Sequence, residues 1–221
     1  MTAGRTERAA LDEHRVVQTA IALADSEGLN QLSMRRLAQV LGVQAMSLYH
    51  HVANKEALLD RMVDSVMGEI QIPSSATPWR EAMVRRAHSA RAALNRHRWA
   101  TPLMDSRTGP GPATLAHHEA VLDRLRSAGF SVALAAHAFS VLDAYIFGFV
   151  LQEQALPFET PAEAQTIAVA IGAQMGDAYP RLTEMLQEHV LTSEYDYGDE
   201  FDYGLELIVN ALDGRLTELK A

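Results

Sequence analysis

A short stretch near the N-terminus holds the side-chain types that contact duplex DNA. The sequence SMRRLAQVLGVQAMSLYHHVANK, residues 33–55, has three basic and no acidic residues in a chain whose formal net charge is -9. Arginine and lysine bind phosphate oxygens or guanine, and the polar and planar side chains can contact base edges in a major groove. The candidate DNA contacts are Arg35, Arg36, Gln44, Ala45, Met46, Ser47, Tyr49, His50, His51 and Lys55.

The spacing of small and apolar residues in the same stretch predicts a helix-turn-helix. Two helices that cross at a steep angle need a small residue at the crossing, a glycine in the turn and an apolar anchor that faces inward. Ala38, Gly42 and Leu48 meet these requirements, and the second helix should extend over 44–50 with the candidate contacts on its exposed face. The alternative is an ordinary helical hairpin whose arginines are merely solvated.

Longer helices should hold this motif in place on both sides. Residues 11–27 place apolar side chains on one face before Gly28, and Asn54 caps a helix that continues to residue 70. The proline-bounded segment PSSATP follows at 73–78. We therefore predict an N-terminal domain over 1–73, including a connecting helix at 54–72, and a larger domain over 74–221.

The rest of the chain repeats the periodicity of helices and lacks the alternation typical of strands. The predicted helices cover 78–94, 115–128, 131–156, a segment that opens with the capping box at 160–163, and 200–218, where Asp199 would be the N-cap. Loops are expected at 105–114 and 192–200. The fold class is therefore predicted to be all-α.

Composition limits the function further. The 221 residues contain no cysteine, which excludes disulfides and thiolate metal sites, and no run of eighteen apolar residues. The N-terminus also lacks the apolar core of a secretory signal, so we expect a soluble, cytoplasmic protein with no membrane partner. The acidic pI of about 5.4 argues against a protein that coats nucleic acid non-specifically.

The helix-turn-helix stretch resembles the DNA-binding domain of the TetR family of transcriptional repressors. In that family the motif leads into a tyrosine, an aromatic residue or histidine, and a lysine that starts the fourth helix, and Tyr49, His50, His51 and Lys55 match it here. Further segments are similar to the family's ligand-binding and dimer helices: SAGFS at 127–131, FGFVLQEQ at 147–154 and YGLELIVNAL at 203–212. The resemblance covers most of residues 11–212.

This resemblance implies a homodimer that binds a palindromic operator and is released by a small-molecule inducer. The long helix at 131–156 and the last helix at 200–218 would form a four-helix bundle with their symmetry mates. An intrachain core is the alternative explanation of their apolar stripes. The expected dimer contacts are Leu142, Ile146, Phe149, Leu205, Ile208 and Leu212.

The resemblance also suggests which inducer to expect. Where family members bind a magnesium–tetracycline chelate, the metal-binding histidine falls here on Leu103 or Met104, and the matching polar positions become Val121, Ala144 and Gln152. We therefore expect an apolar or aromatic inducer, with no metal or other cofactor. The candidate ligand-binding residues are Trp99, Met104, Arg107, His118, Leu122, Phe139 and Asp143.

Two other classes of protein compete with a regulator. An enzyme is disfavoured because the sequence has no phosphate loop, G-x-S-x-G, zinc signature or glycine-rich dinucleotide turn. An all-α small-molecule carrier without DNA binding would explain the acidic charge. Arg35, Tyr49 and Lys55 on one surface argue against such a carrier.

Overall fold

The computed structural model describes residues 11–71, 74, 76–104, 109–175, 178–192 and 195–218. These residues form eleven α-helices and no strand, which confirms the predicted fold class. The helices are α1 Glu13–Glu27, α2 Met34–Leu41, α3 Ala45–Leu48, α4 Lys55–Glu69, α5 Trp79–Arg96, α6 Thr101–Met104, α7 Pro112–Ser127, α8 Val132–Ala155, α9 Pro161–Met175, α10 Pro180–Met185 and α11 Tyr197–Glu218. A 3-10 turn covers Leu29–Gln31, and a π-helical segment covers Leu186–Val190.

The chain packs as two compact units, Met1–Leu125 and Arg126–Ala221. In the first unit, α1 packs against both α2 and α4 around a core that includes Val16, Ala20 and Met62. Gln18 donates to the Ser65 hydroxyl at 3.1 Å and thereby joins the polar edges of α1 and α4. The domain boundary predicted at residue 73 falls inside this first unit, and it stays a prediction.

In the second unit, α8 and α11 pack closely through one tyrosine and one glycine. The Tyr145 hydroxyl donates to the backbone oxygens of Glu200 and Phe201 at 3.0 and 2.9 Å. A Cβ at Gly204 would overlap the same hydroxyl. The absent side chain at residue 204 therefore permits a close contact within the protomer.

The structure corrects two of the predicted loops. Helix α11 begins at Tyr197, inside the loop expected at 192–200, because Asp196 accepts a hydrogen bond from the Gly198 amide at 2.7 Å. Asp199 therefore lies inside the helix and is not its N-cap. Helix α7 likewise begins at Pro112, inside the loop expected at 105–114.

Helix α8 is long and apolar enough to cross a membrane by length and composition alone, and a third of its most apolar stretch is buried. Core helices of soluble proteins meet the same criterion. The apolar surface of α8 therefore equally fits a helix that packs against other helices on two faces.

Candidate DNA-binding surface and ligand-binding region

The helix-turn-helix forms at the predicted residues. Ser33 caps α2 by accepting a hydrogen bond from the Arg36 amide at 3.1 Å, and Gly42 ends α2 in the left-handed conformation with φ 68°. Ala38 and Leu48 are both buried. The second helix is shorter than expected: α3 covers Ala45–Leu48, and turn residues continue it to residue 51.

The predicted DNA contacts lie on the outside of this motif. Met46 is 71% exposed and Tyr49 is 44% exposed, although side chains of these types are commonly buried. Arg35, Gln44, His50 and Lys55 are also exposed, while Arg36, Ala45, Ser47 and His51 are partly exposed. The surface therefore presents the whole set of candidate contacts to solvent.

Arg36 differs from the other basic residues because it is already paired. Its guanidinium lies 2.6 Å from the Glu27 carboxylate, which projects from the end of α1. The hydrogen bond from Arg36 lowers the pKa of Glu27, and the same bond raises the pKa of Arg36. Arg36 therefore links α2 to α1 through an ion pair. Because Glu27 already binds its guanidinium, Arg36 is less available to a phosphate than Arg35.

Lys55 stands at the first turn of α4, next to a capped helix end. The Asn54 side chain accepts a hydrogen bond from the Ala57 amide at 2.8 Å. The N-terminus of a helix favours anions, because its amides point outward and the helix dipole is positive there. Lys55 and this helix end are therefore suited to hold one phosphate of a DNA backbone.

Trp99, a predicted ligand contact, has a structural partner in the first unit. Its indole N–H donates to Asp25 Oδ1 at 2.6 Å, and His97 Nδ1 lies 2.8 Å from the same oxygen. The other ring nitrogen of His97 lies 3.2 Å from Glu69, which also pairs with Arg96. This cluster of Asp25, His97 and Glu69 ties the ends of α1 and α4 to the end of α5.

Trp99 also lines an open cleft of about 560 Å³ beside the end of α1.

A second connection joins α4 to the first turn of α7. The Asp64 carboxylate accepts hydrogen bonds from the Ala113 amide at 3.2 Å and from the Thr114 amide at 2.8 Å. A Cβ at Gly111 would overlap that carboxylate. Asp64 thus caps α7 from a distant part of the sequence, which explains why sequence reasoning placed the start of α7 too late.

The other predicted ligand contacts are half-buried. Met104, His118 and Leu122 lie in the first unit, and Phe139 and Asp143 lie in the second. Arg107 lies outside the described residues. No group of three or more His, Asp or Glu side chains suited to hold a metal ion occurs among the described residues.

Sequence reasoning missed the buried pair of Arg86 and His117. Arg86 is 2% exposed on α5, His117 is 1% exposed on α7, and Arg86 Nε donates to His117 Nε2 at 2.8 Å. His117, Val121 and Leu125 recur at four-residue intervals and are all buried, so helical periodicity could have identified the inward face of α7. Burial, and then the charge of Arg86, lower the pKa of His117 to about 4.

The predicted dimer contacts lie mostly inside a single protomer. Leu142, Ile146, Phe149, Leu205 and Leu212 are buried in the core of the second unit, and Ile208 is partly exposed. Large apolar side chains beside them are exposed on the same two helices. These are Val132, Val141 and Leu151 on α8, and Tyr203 and Leu207 on α11.

Comparison with known proteins agrees with this arrangement. Residues 16–62 match the tetR family of bacterial regulatory proteins, and residues 72–216 match the tetracyclin repressor-like C-terminal domain. An HTH-type transcriptional regulator of Saccharopolyspora erythraea is 33% identical over 90% of this chain and 83% of its own length. The class E tetracycline repressor of Escherichia coli is 36% identical over 96% of this chain and 95% of its own.

A solved structure extends the likeness to the fold. ActR from Streptomyces coelicolor, crystallised with actinorhodin, has a TM-score of 0.78 and 30% identity, over 94% of this chain and 99% of its own. The two family matches are separated only by residues 63–71, and the first of them ends inside α4. The chain therefore belongs to the TetR family of bacterial transcriptional regulators.

Proposed function

We propose that this protein is a ligand-responsive transcriptional repressor that binds a palindromic operator as a homodimer. The observation that carries the proposal is the solvent-exposed face around α3, formed by Gln44, Met46, Tyr49 and His50, on a helix-turn-helix whose turn and anchor residues are in place. Within this scheme residues 1–73 bind DNA and residues 74–221 bind the inducer and the second protomer. Such a regulator acts in the cytoplasm, and no catalytic step is assigned to it.

The proposed DNA contacts divide by chemistry. Gln44, Ser47, Tyr49 and His50 would approach base edges, because they lie on or beside α3. Arg35 would contact a guanine edge and Lys55 a phosphate, with His51 and Arg36 at the margin of the surface. Ala45 and Met46 add apolar contact, for example with a thymine methyl group.

The proposed inducer site lies among the helices that follow residue 73. Relatives support a small organic ligand, since ActR was crystallised with actinorhodin and the class E protein is named a tetracycline repressor. Within the first unit, the half-buried Met104, His118 and Leu122 would line the site. Phe139 and Asp143, which are half-buried in the second unit, stay predicted ligand contacts. Such an apolar wall with a few polar groups is usual for small-molecule sites.

We propose that contacts of α4 within the first unit transmit inducer binding to the DNA-binding surface. Helix α4 is held by Asp64 at the start of α7 and by Glu69 at the end of α5. A ligand that moved α7 or the α5–α6 junction would therefore displace α4 and, through Gln18 and Ser65, α1. We propose that this displacement changes the spacing of the two DNA-binding domains in the dimer.

The test is operator selection followed by variants of the exposed face. We expect the purified protein to enrich a palindromic sequence from random or genomic DNA. Arg35→Ala or Tyr49→Ala should weaken specific binding by about 1–3 kcal/mol for each lost contact, whereas Lys55→Ala should weaken binding to every sequence alike. The slope of log affinity against log salt should also flatten for Lys55→Ala. Selection that enriches no sequence above background would contradict the proposal and favour a carrier.

A further inference from the structure

The imidazole of His117 has a fixed protonation pattern. A guanidinium nitrogen can only donate hydrogen bonds, so His117 Nε2, 2.8 Å from Arg86 Nε, must carry a lone pair. The proton of the neutral ring therefore sits on Nδ1. Because burial and the nearby positive charge hold the pKa of His117 at about 4, this form persists at neutral pH.

The Nδ1–H of His117 has no hydrogen-bond partner in the described part of the chain, although it is shielded from solvent. Buried donors in folded proteins are almost always satisfied, and an unpaired one calls for an explanation. The hydroxyl of Thr101, a residue that is 3% exposed at the start of α6, is likewise without a partner. Both side chains belong to the helices in which the inducer site is proposed.

We infer that His117 is the specificity-determining donor of the inducer site, and that it selects aromatic or apolar molecules bearing a hydrogen-bond-accepting oxygen. This inference rests on the proposed function. A ketone, quinone or carboxylate oxygen would accept the Nδ1–H bond. An amine would instead present its own N–H groups to a donor, and an ammonium group would also meet the positive charge of Arg86.

The position of Arg86 fixes His117 as a hydrogen-bond donor at Nδ1. His117 cannot become an acceptor at Nδ1 without moving its proton to Nε2, where it would face the N–H of Arg86. The ring also lies on the same buried face of α7 as Val121 and Leu125, which offer a mismatched ligand no polar group. Sites built around a buried polar group discriminate strongly against molecules that leave it unpaired.

Two molecules of nearly the same shape test the inference: 9-fluorenone, which has a carbonyl oxygen, and fluorene, which has a methylene group in its place. We expect the full-length wild type to bind fluorenone at least roughly tenfold more tightly than fluorene, measured by tryptophan fluorescence. Fluorenone, but not fluorene, should also shift the His117 Nδ1–H resonance in ¹⁵N-edited NMR. In His117→Leu the preference should disappear, and in His117→Asn, which keeps an N–H donor, part of it should return. His88→Leu, at an exposed position on α5, should keep the wild-type preference.

Equal affinities for the two compounds, binding of neither compound, or an unchanged His117 signal at saturating fluorenone would each overturn the inference. If His117→Leu does not fold, the NMR experiment on the wild type still shows whether fluorenone binds at His117 Nδ1–H. Operator binding is measured separately by gel shift without any ligand. Failure there overturns the proposed repressor function, while the fluorenone comparison alone decides the role of His117.

Discussion

At the scale of single residues, the buried pair of Arg86 and His117 links ionisation to stability. The folded state keeps His117 neutral, with a pKa of about 4, whereas an unfolded chain would give histidine its usual value of about 6.5. Between these two values the unfolded state binds a proton that the folded state does not. Protonation therefore favours unfolding as the pH falls.

We predict that acidification from pH 6.5 to pH 4 removes about 3 kcal/mol of stability through this one residue. Above pH 6.5 both states hold a neutral ring, so the contribution no longer changes with pH. His117→Gln should lose this pH dependence, because glutamine does not titrate. Urea unfolding of both proteins at several pH values measures the difference. Parallel curves for wild type and variant would contradict the prediction, and the variant His88→Gln serves as a control for an exposed histidine.

Residue-level function was predictable from the sequence wherever it depended on local spacing. Ser33, Gly42 and Leu48 do what their positions in the motif require, because capping and turn formation involve neighbours in sequence. The pairing of Arg36 with Glu27 and the burial of His117 depend on where distant elements meet. Periodicity could have shown that His117, and not His118, faces inward, but it could not show that Arg86 is the partner of His117.

At the scale of elements, hydrogen bonds connect α4 to two other helices, one from its middle and one from its C-terminal end. Asp64 caps α7, and Glu69 joins the cluster around His97, so two contacts from separate parts of the chain fix one helix. The periodicity of α4 predicted its existence and its buried face. The contacts along its polar face could not be predicted, because their partners lie 28 and 50 residues away.

Glycine substitutions should separate the Asp64 contact from general effects on the α6–α7 segment. A Cβ at Gly111 would overlap the Asp64 carboxylate, whereas a Cβ at Gly109 would meet nothing. We predict that Gly111→Ala destabilises the protein by about 1–3 kcal/mol, as overpacking does. Gly109→Ala should change stability by no more than about 0.5 kcal/mol. Urea midpoints measured at one protein concentration test this, and equal midpoints for the two variants would show that the Asp64 cap is not essential.

At the scale of the whole molecule, dimer formation should depend on the exposed apolar side chains of the second unit. A charge at Leu205 would enter the protomer's own core, so its effect could not be assigned to the dimer. Leu207, which is 55% exposed on α11, is the better probe. The exposed apolar side chains of α8, which are Val132, Val141 and Leu151, would add to the apolar area that a second protomer buries.

We predict that Leu207→Glu gives a folded monomer that no longer binds the operator tightly. A buried, unpaired carboxylate would oppose association, but within a monomer the side chain would stay in water. Leu115→Glu is the matched control, since Leu115 is 54% exposed on α7 in the first unit and should tolerate the charge. Sedimentation and circular dichroism report assembly and folding. A wild type that is itself a well-folded monomer would rule out this mode of assembly.

The inducer must act on the whole dimer, and its chemistry can be tested at that scale. A ligand releases the operator only if it binds one arrangement of the two DNA-binding domains better than the other, and a hundredfold preference corresponds to about 2.7 kcal/mol. The family resemblance places Leu103 or Met104, Val121 and Ala144 at the positions where magnesium–tetracycline binders are expected to carry polar groups. We therefore predict that hydrophobic compounds release the operator equally well with and without magnesium. Relatives named tetracycline repressors make tetracycline the natural competitor in this assay. Fluorescence anisotropy of labelled operator should be followed for each compound with magnesium and with a chelator. Release by tetracycline that requires magnesium would mean that other residues of this chain replace the missing metal-binding groups.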